Sequence, residues 1–248
     1  MKKVLSRFLK KAFRFSKDMA KPFAYVLFAS YNYYSRRHPD THKLPLTVIG
    51  DGTKIHPKAF VAERGVIIGR DCMVDANAVV LEHSILEDGA IAMECSIIGF
   101  DGFVRLKVGK HITLRPFKGG VIIRNGAIVG PHCCVDRAFR KGNTTIGSNS
   151  VLGSNIHVAH DVQIEKECWI GTGAMLAGQI RIAESGVLGY DCSISNYLTV
   201  GEQAIVFPGS VVTKDVPPKA IVSGNFAMNH SKHRLVNGGT NSPAGDIL

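Results

Sequence analysis

The feature that most constrains this chain is an aliphatic residue recurring every six positions. Counting from Ile146, the positions are Ile146, Leu152, Val158, Ile164, Ile170, Leu176, Ile182, Leu188, Ile194, Val200, Val206 and Val212. An α-helix repeats at about 3.6 residues and a strand at about 2, so neither gives this period. Two residues before each aliphatic from Leu152 onward stands Ser150, Ile156, Val162, Cys168, Ala174, Ile180, Gly186, Cys192, Leu198, Ala204 or Ser210, mostly small or aliphatic. A unit with two inward side chains is a short strand plus a corner. Stacked units form parallel ladders around one continuous core, a parallel β-helix. Gly147, Gly153, Gly171, Gly189 and Gly201 directly follow the aliphatic and are expected to take the corners, where backbone freedom is needed.

The pattern extends upstream with slips. Ile49, Ile55, Val61 and Ile67 share a register, which then moves by one to Ile68, Val74, Val80 and Leu86, with Ala92 weak and Ile98 following. Ile123, Val129 and Val135 form a third run. Strict spacing fails over 99–120 and 136–145, so the chain must loop out of the coil there. In repeat proteins such excursions collect on one face, often the binding face. These runs predict a β-helix domain over 48–217, preceded by a basic segment over 1–47 and followed by a polar extension over 218–248.

The ends differ in kind. Residues 1–21 hold eight basic side chains and one acid, Asp18, out of 30 Lys and Arg and 20 Asp and Glu in the whole chain. Wound as a helix, they place Leu5, Phe8, Leu9, Ala12, Phe15 and Met19 on one side and the Lys and Arg residues on the other. Such a helix suits a membrane interface, an acidic partner, or the open end of a β-helix that needs a cap. At the far end, Val216-Pro217-Pro218 is expected to stop the coil, because proline cannot donate to a ladder. The tail through Asn237-Gly238-Gly239-Thr240 is expected to be disordered.

The six cysteines form no C-x-x-C pair and no zinc-ribbon spacing, and read as small buried hydrophobes in a reducing compartment. The longest apolar run, Phe23–Ala29, falls short of the ~20 residues a membrane span requires. A cytoplasmic protein is expected, or one peripheral at the inner membrane through residues 1–21. No nucleic-acid partner is expected.

Chemistry concentrates in His157-Val158-Ala159-His160-Asp161. Val158 points inward, and His160, two residues later, should leave the coil surface beside an acid. A general base near neutrality, a plain surface histidine and a metal ligand all fit this pattern. Two histidines three apart on one strand should face opposite ways, which disfavours a metal shared between them, and no metal is expected.

Three segments in order carry a resemblance: Ile98-Gly99-Phe100-Asp101-Gly102-Phe103, Val135-Asp136-Arg137-Ala138, and His157-Val158-Ala159-His160-Asp161. They resemble the hexapeptide-repeat acyltransferases of lipid A (lipopolysaccharide) biosynthesis, above all the UDP-3-O-(3-hydroxyacyl)glucosamine N-acyltransferases, over roughly residues 48–225. The resemblance implies a left-handed β-helix and a homotrimer with sites between subunits; with the helix read in residues 1–21, the expected fold is all-β with a short N-terminal helical segment. The resemblance also implies transfer of an acyl group from a phosphopantetheine thioester to an amino sugar. The donor would be acyl carrier protein or acyl-CoA, a co-substrate rather than a bound cofactor. His160 matches the catalytic base and Asp161 would orient it. Gly178, eighteen residues on, would stack over His160 with its N–H toward the thioester carbonyl. His157, Asp136, Arg137, Gln179, Tyr197, Asp101 and Phe103 fall in or beside the matched motifs and are expected to bind acceptor or donor.

Three departures bear on the acceptor. Residues 1–47 are too short and basic for the uridine-binding domain that precedes this β-helix in the N-acyltransferases. Tyr197 stands where they carry a second functional histidine, and Asp136-Arg137-Ala138-Phe139 replaces their D-R-G turn. Competing readings are an acetyl-CoA-dependent sugar N- or O-acetyltransferase, a metal-dependent hydratase of the γ-carbonic anhydrase type, and a non-catalytic scaffold.

Overall fold

The computed structural model describes residues 43–108 and 111–224, with backbone only for 105–108 and 111–114. The amphipathic helix expected over 1–21 and the tail beyond 224 lie outside the described residues. Within them the chain winds as a left-handed parallel β-helix whose walls are three parallel sheets of eight, nine and eight strands. Most strands are two residues long and every third strand pairs in register, as Thr145–Ile146 with Gln163–Ile164 and those with Arg181–Ile182. The first sheet contains Val48–Ile49, Asn143–Ile146 and Gln163–Ile164, the second Val151–Leu152 and Trp169–Ile170, and the third Cys134–Asp136, His157–Val158 and Met175–Leu176.

The six-residue aliphatics form the core. All twelve from Ile146 to Val212 are buried, most with no exposed surface. Each is worth about 1.5–3 kcal/mol when removed from water. The smaller partners line the same interior, with Ser150 keeping its hydroxyl bonded to the Glu165 carbonyl at 2.7 Å.

The corners are not where the glycines were expected to put them. The left-handed backbone falls three residues past each inward aliphatic, at Asn149, Asn155, Asp161, Glu167, Gln179, Ser185, Asp191, Tyr197 and Gln203, with φ between 54° and 66°. Asn and Asp tolerate that region best among residues with a Cβ. Gly147, Gly153, Gly171, Gly189 and Gly201 have no positive φ. They are small for another reason: a Cβ on Gly171 would stand 2.7 Å from the backbone of Gly189 in the next coil. Close stacking, not backbone freedom, requires them.

Two other expectations are corrected. Ile67 is exposed and pairs with Val48, while Ile68 is buried and pairs with Ile49, so the register slip falls before Ile67 rather than after it. The prolines do not end the ladder. Val216 bridges to Val200, and Ile221–Val222 pair with Ile205–Val206 beyond Pro217 and Pro218. The prolines sit at a corner over Gly201, where no ladder donor is needed.

Both excursions leave the coil at one corner, between the third and first sheets. The first links Ile97–Phe100 to Gly120–Ile123 and carries an antiparallel hairpin of Arg105–Val108 with His111–Leu114. The second links Cys134–Asp136 to Asn143–Ile146. The next coils bring His160 and Gly178 to the same edge.

Candidate active site

The corner geometry determines which groups face this edge. At the uninterrupted corners the amide two residues past the inward aliphatic lies outside the ladder, whereas at the root of the second excursion Arg137 donates its N–H to the Phe100 carbonyl at 2.9 Å. At Arg70 the corner amide donates to Asp88 Oδ1 at 2.8 Å, at Ser154 to Thr172 Oγ1 at 3.2 Å, and at Glu184 to Glu165 Oε2 at 3.0 Å. His160 and Gly178 occupy this position on successive coils. The Gly178 N–H has no such partner among the described residues, whereas its neighbour Gln179 donates its N–H to the His160 carbonyl at 2.9 Å. Gly178 also lies directly on the His160 ring, since a Cβ there would meet Cε1 at 2.7 Å and Nε2 at 2.8 Å.

His160 is held from three sides. Its Nδ1 lies 2.8 Å from Asp161 Oδ2. A carboxylate only accepts, so this bond calls for the proton on Nδ1, and among the described residues no hydrogen-bonding group pairs with Nε2. Asp161 is fixed in turn. Its N–H donates to Thr144 Oγ1 at 2.9 Å, and its Oδ2 accepts the Phe139 N–H at 3.2 Å. Two aromatic rings then close on the imidazole, Phe117 edge-on at 5.5 Å and Phe139 tilted at 5.8 Å, themselves 5.1 Å apart. Arg115 stacks over Phe139 at 5.4 Å. An imidazole held through one nitrogen and unpaired at the other has the geometry in which a proton could be accepted at Nε2.

His157 makes a second pair. Its Nε2 lies 3.1 Å from Asp136 Oδ2. The hydrogen bond to Asp136 raises the His157 pKa against the opposing effect of burial, so its imidazolium is favoured relative to an ordinary histidine. The Cys134 thiol lies 3.7 Å from the other Asp136 oxygen and is pushed up to about 12, by burial first and the carboxylate second. Cys134, Asp136 and His157 are also the one group among the described residues whose donor atoms lie close enough together to hold a cation.

Phe103, Asp136, His157, His160, Met175 and Gly178 are among the residues lining one cleft of about 520 Å³. The two histidines therefore share a face, contrary to the alternation expected of a strand. The strand ends at Val158, and the corner carries His160 round to the side His157 already occupies. A second hollow of about 450 Å³, lined by Glu165, Glu184, Asp215 and Pro217, lies away from both histidines.

The remaining expected residues divide. Phe103 is exposed at the cleft mouth. Gln179 and Tyr197 are exposed at left-handed corners outside the cleft lining, the Tyr197 N–H donating to the Gly178 carbonyl at 3.2 Å. Asp101 and Arg137, expected to touch substrate, are instead buried at the root of the excursions. Arg137 Nε donates to the Gly99 carbonyl at 3.0 Å and lies 3.7 Å from Asp101 Oδ1, and its terminal nitrogen donates to the Glu82 carbonyl. Asp101 Oδ2 accepts the Phe117 N–H at 3.5 Å. The pair positions Phe117 rather than facing the cleft. Sequence reasoning missed Phe117 and Thr144. Phe139 entered only as part of the replaced D-R-G turn, although its place in the second excursion was the available signal.

No family model matches the chain. Among curated proteins it is 27% identical over 183 residues to an acyl-[acyl-carrier-protein]–UDP-N-acetylglucosamine O-acyltransferase of Campylobacter concisus, covering 73% of this chain and 67% of the relative. It is 32% identical over 139 residues to a UDP-3-O-acylglucosamine N-acyltransferase of a Caulobacter species, covering 56% of this chain and 40% of that relative. The chain thus spans well under half the length of the N-acyltransferases it matches. Among solved structures it is similar to the UDP-N-acetylglucosamine acyltransferase of Campylobacter jejuni, with a TM-score of 0.55 and 22% identity over 69% of this chain and 72% of that one. The enzyme from Bacteroides fragilis gives 0.53 and 23% over 79% and 78%. At these identities the solved structures speak to the fold.

Proposed function

We propose that this member of the hexapeptide-repeat acyltransferases moves an acyl group from a phosphopantetheine thioester to the amine of a nucleotide-linked sugar, in chemistry of the lipid A type. The observation that carries the reading is the His160–Gly178 stack, a free imidazole nitrogen beside an amide N–H left out of the ladder. His160 Nε2 takes the proton of the attacking amine while Asp161 holds Nδ1–H. The amine nitrogen bonds to the thioester carbon, and the negative charge passes to the carbonyl oxygen, to which the Gly178 N–H would donate. Such a donor is typically worth ~10²–10³ in rate. Collapse breaks the C–S bond, and His160 returns its proton to the departing sulfur. Asp161 acts through His160, and Phe117 and Phe139 pack against the ring and hold its orientation. His157, Asp136 and Phe103 line the cleft where the acceptor would sit.

The acyl donor is read as acyl carrier protein, the donor for which the O-acyltransferase relatives are named. Carrier proteins of this kind are acidic, and the basic segment 1–21 complements that charge. A homotrimer is supported by an apolar ladder on the outside of the second sheet, running from Met73 through Ile128, Trp169 and Ile205 to Ile221. A stripe of that length is uncommon on a monomer. A cytoplasmic site of action, at the inner membrane surface, fits these partners. No helix among the described residues is long and apolar enough to cross a membrane.

A hydroxyl acceptor is the second reading, favoured by the O-acyltransferase relatives, which match 73% of this chain against 56% for the N-acyltransferases. One experiment separates these. Acyl-carrier and CoA thioesters of several chain lengths are incubated with UDP-linked amino sugars and their N-acetylated forms, and products are read by mass spectrometry. Amide formation supports the first reading and ester formation the second. Transfer from no thioester to any sugar would overturn both.

A further inference from the structure

We infer that Cys134, Asp136 and His157 form a three-ligand site for a zinc-class divalent cation in the wall of the cleft. The backbone brings them together. Cys134 and Asp136 lie on one strand, Asp136 just past an irregularity in its register that leaves an Asp136 oxygen 3.7 Å from the Cys134 thiol. His157 is the ladder partner of Cys134 on the next coil. The three donor atoms all lie within 4.8 Å of one another, with Asp136 oxygens 3.7 Å from Cys134 Sγ and 3.1 Å from His157 Nε2. Metal–sulfur bonds of about 2.3 Å and metal–nitrogen bonds of about 2.0 Å require ligand separations of this order around a tetrahedral ion.

The donor set selects the class of ion. A thiolate and an imidazole with one carboxylate suit zinc and its neighbours rather than magnesium or calcium, which prefer oxygen. Asp136 is almost wholly buried and Cys134 partly so, while His157 is 34% exposed and lines the cleft. The fourth coordination position therefore opens toward the cleft. Three protein ligands and one open position is the arrangement of zinc sites that admit a solute. On binding, the Cys134 thiol releases its proton to solvent, and the His157 imidazole coordinates through Nε2 with its proton on Nδ1. None of this depends on the acyl-transfer reading, so the site can be tested whether or not transfer is found.

The test is cobalt(II) titration of the full chain under a phosphine reductant without chelator. The expected result is one cobalt per chain, with the thiolate-to-cobalt charge-transfer band and the strong visible bands of a four-coordinate ion, both displaced by zinc. Cys134→Ser should lose the charge-transfer band. Cys133→Ser should keep it, because the Cys133 thiol turns to the Gly153 carbonyl instead. His157→Gln, at a partly exposed position, should weaken binding at least tenfold and serves if the serine variant folds poorly. Absence of the band in the wild-type chain, or an equal band in folded Cys134→Ser, would overturn the site.

Discussion

Replacing Gly178 by alanine separates the position of the His160 imidazole, the proposed general base, from the fold that carries it. Gly178 has no positive φ, so alanine fits the backbone, and the Gly178 amide survives the change. The added methyl would stand 2.7 Å from His160 Cε1 and 2.8 Å from Nε2, against the 3.4 Å at which ordinary contact begins. What it meets is a side chain, so the coil need not open. The ring cannot retreat freely, because Phe117 and Phe139 pack against it and Asp161 holds Nδ1. It must tilt, and Nε2 leaves the line of proton transfer. A misplacement approaching 1 Å costs about 10²-fold, or about 2.7 kcal/mol in the barrier. The expected result in a steady-state transfer assay is a fall in kcat of about 10²-fold, with Tm within a few degrees of wild type. Gly171→Ala provides the contrast. Its methyl would stand 2.7 Å from the backbone of Gly189 and of Tyr190, which cannot yield, so stability should fall while the folded fraction keeps its kcat. Wild-type activity in a stable Gly178→Ala variant would refute the placement of His160 beneath Gly178.

Other consequences are open to simpler measurements. The His157 pKa is raised in the folded state, so its pairing with Asp136 stabilises fully below the ordinary histidine pKa and is lost as pH rises through the folded value. Asp136→Asn should therefore lower Tm more at pH 6 than at pH 9, as read by differential scanning fluorimetry. Arg137→Met removes a buried charge that ties Gly99, Glu82 and Asp101 together, leaving Asp101 without it, and should cost about 3–5 kcal/mol in urea unfolding. Asp161→Asn, which leaves the shape but not the charge beside Nδ1, should lower kcat by about tenfold or more with little change in KM.

Much of this architecture is legible in the residues, and the reasons for the rest are local. The six-residue period survives from Ile146 to Val212 without interruption, and a coil returns after eighteen residues, as Ser150 to Cys168 shows. That arithmetic places Gly178 on His160 before any coordinates exist. It fails across the excursions. Cys134 meets His157 only because 136–145 adds residues to the turn, so no fixed step predicts the cluster they form with Asp136. Phe117 reaches His160 from the far end of a hairpin-bearing loop, a path that local pattern does not encode. The glycines after the aliphatics were visible, but their cause was not. A tight turn and a close approach ask for the same residue, and only the sign of φ distinguishes them.

The most direct test of the central claim is the transfer rate of His160→Ala beside wild type. The assay would use an acyl-carrier thioester and a UDP-linked amino sugar, with product counted by mass spectrometry and folding checked by Tm. His160 is partly exposed at a corner, so its loss should leave the coil intact. Removal of a positioned general base predicts a rate loss of ~10²–10⁴-fold at nearly unchanged Tm. A folded His160→Ala chain that transfers acyl groups at the wild-type rate would contradict the account.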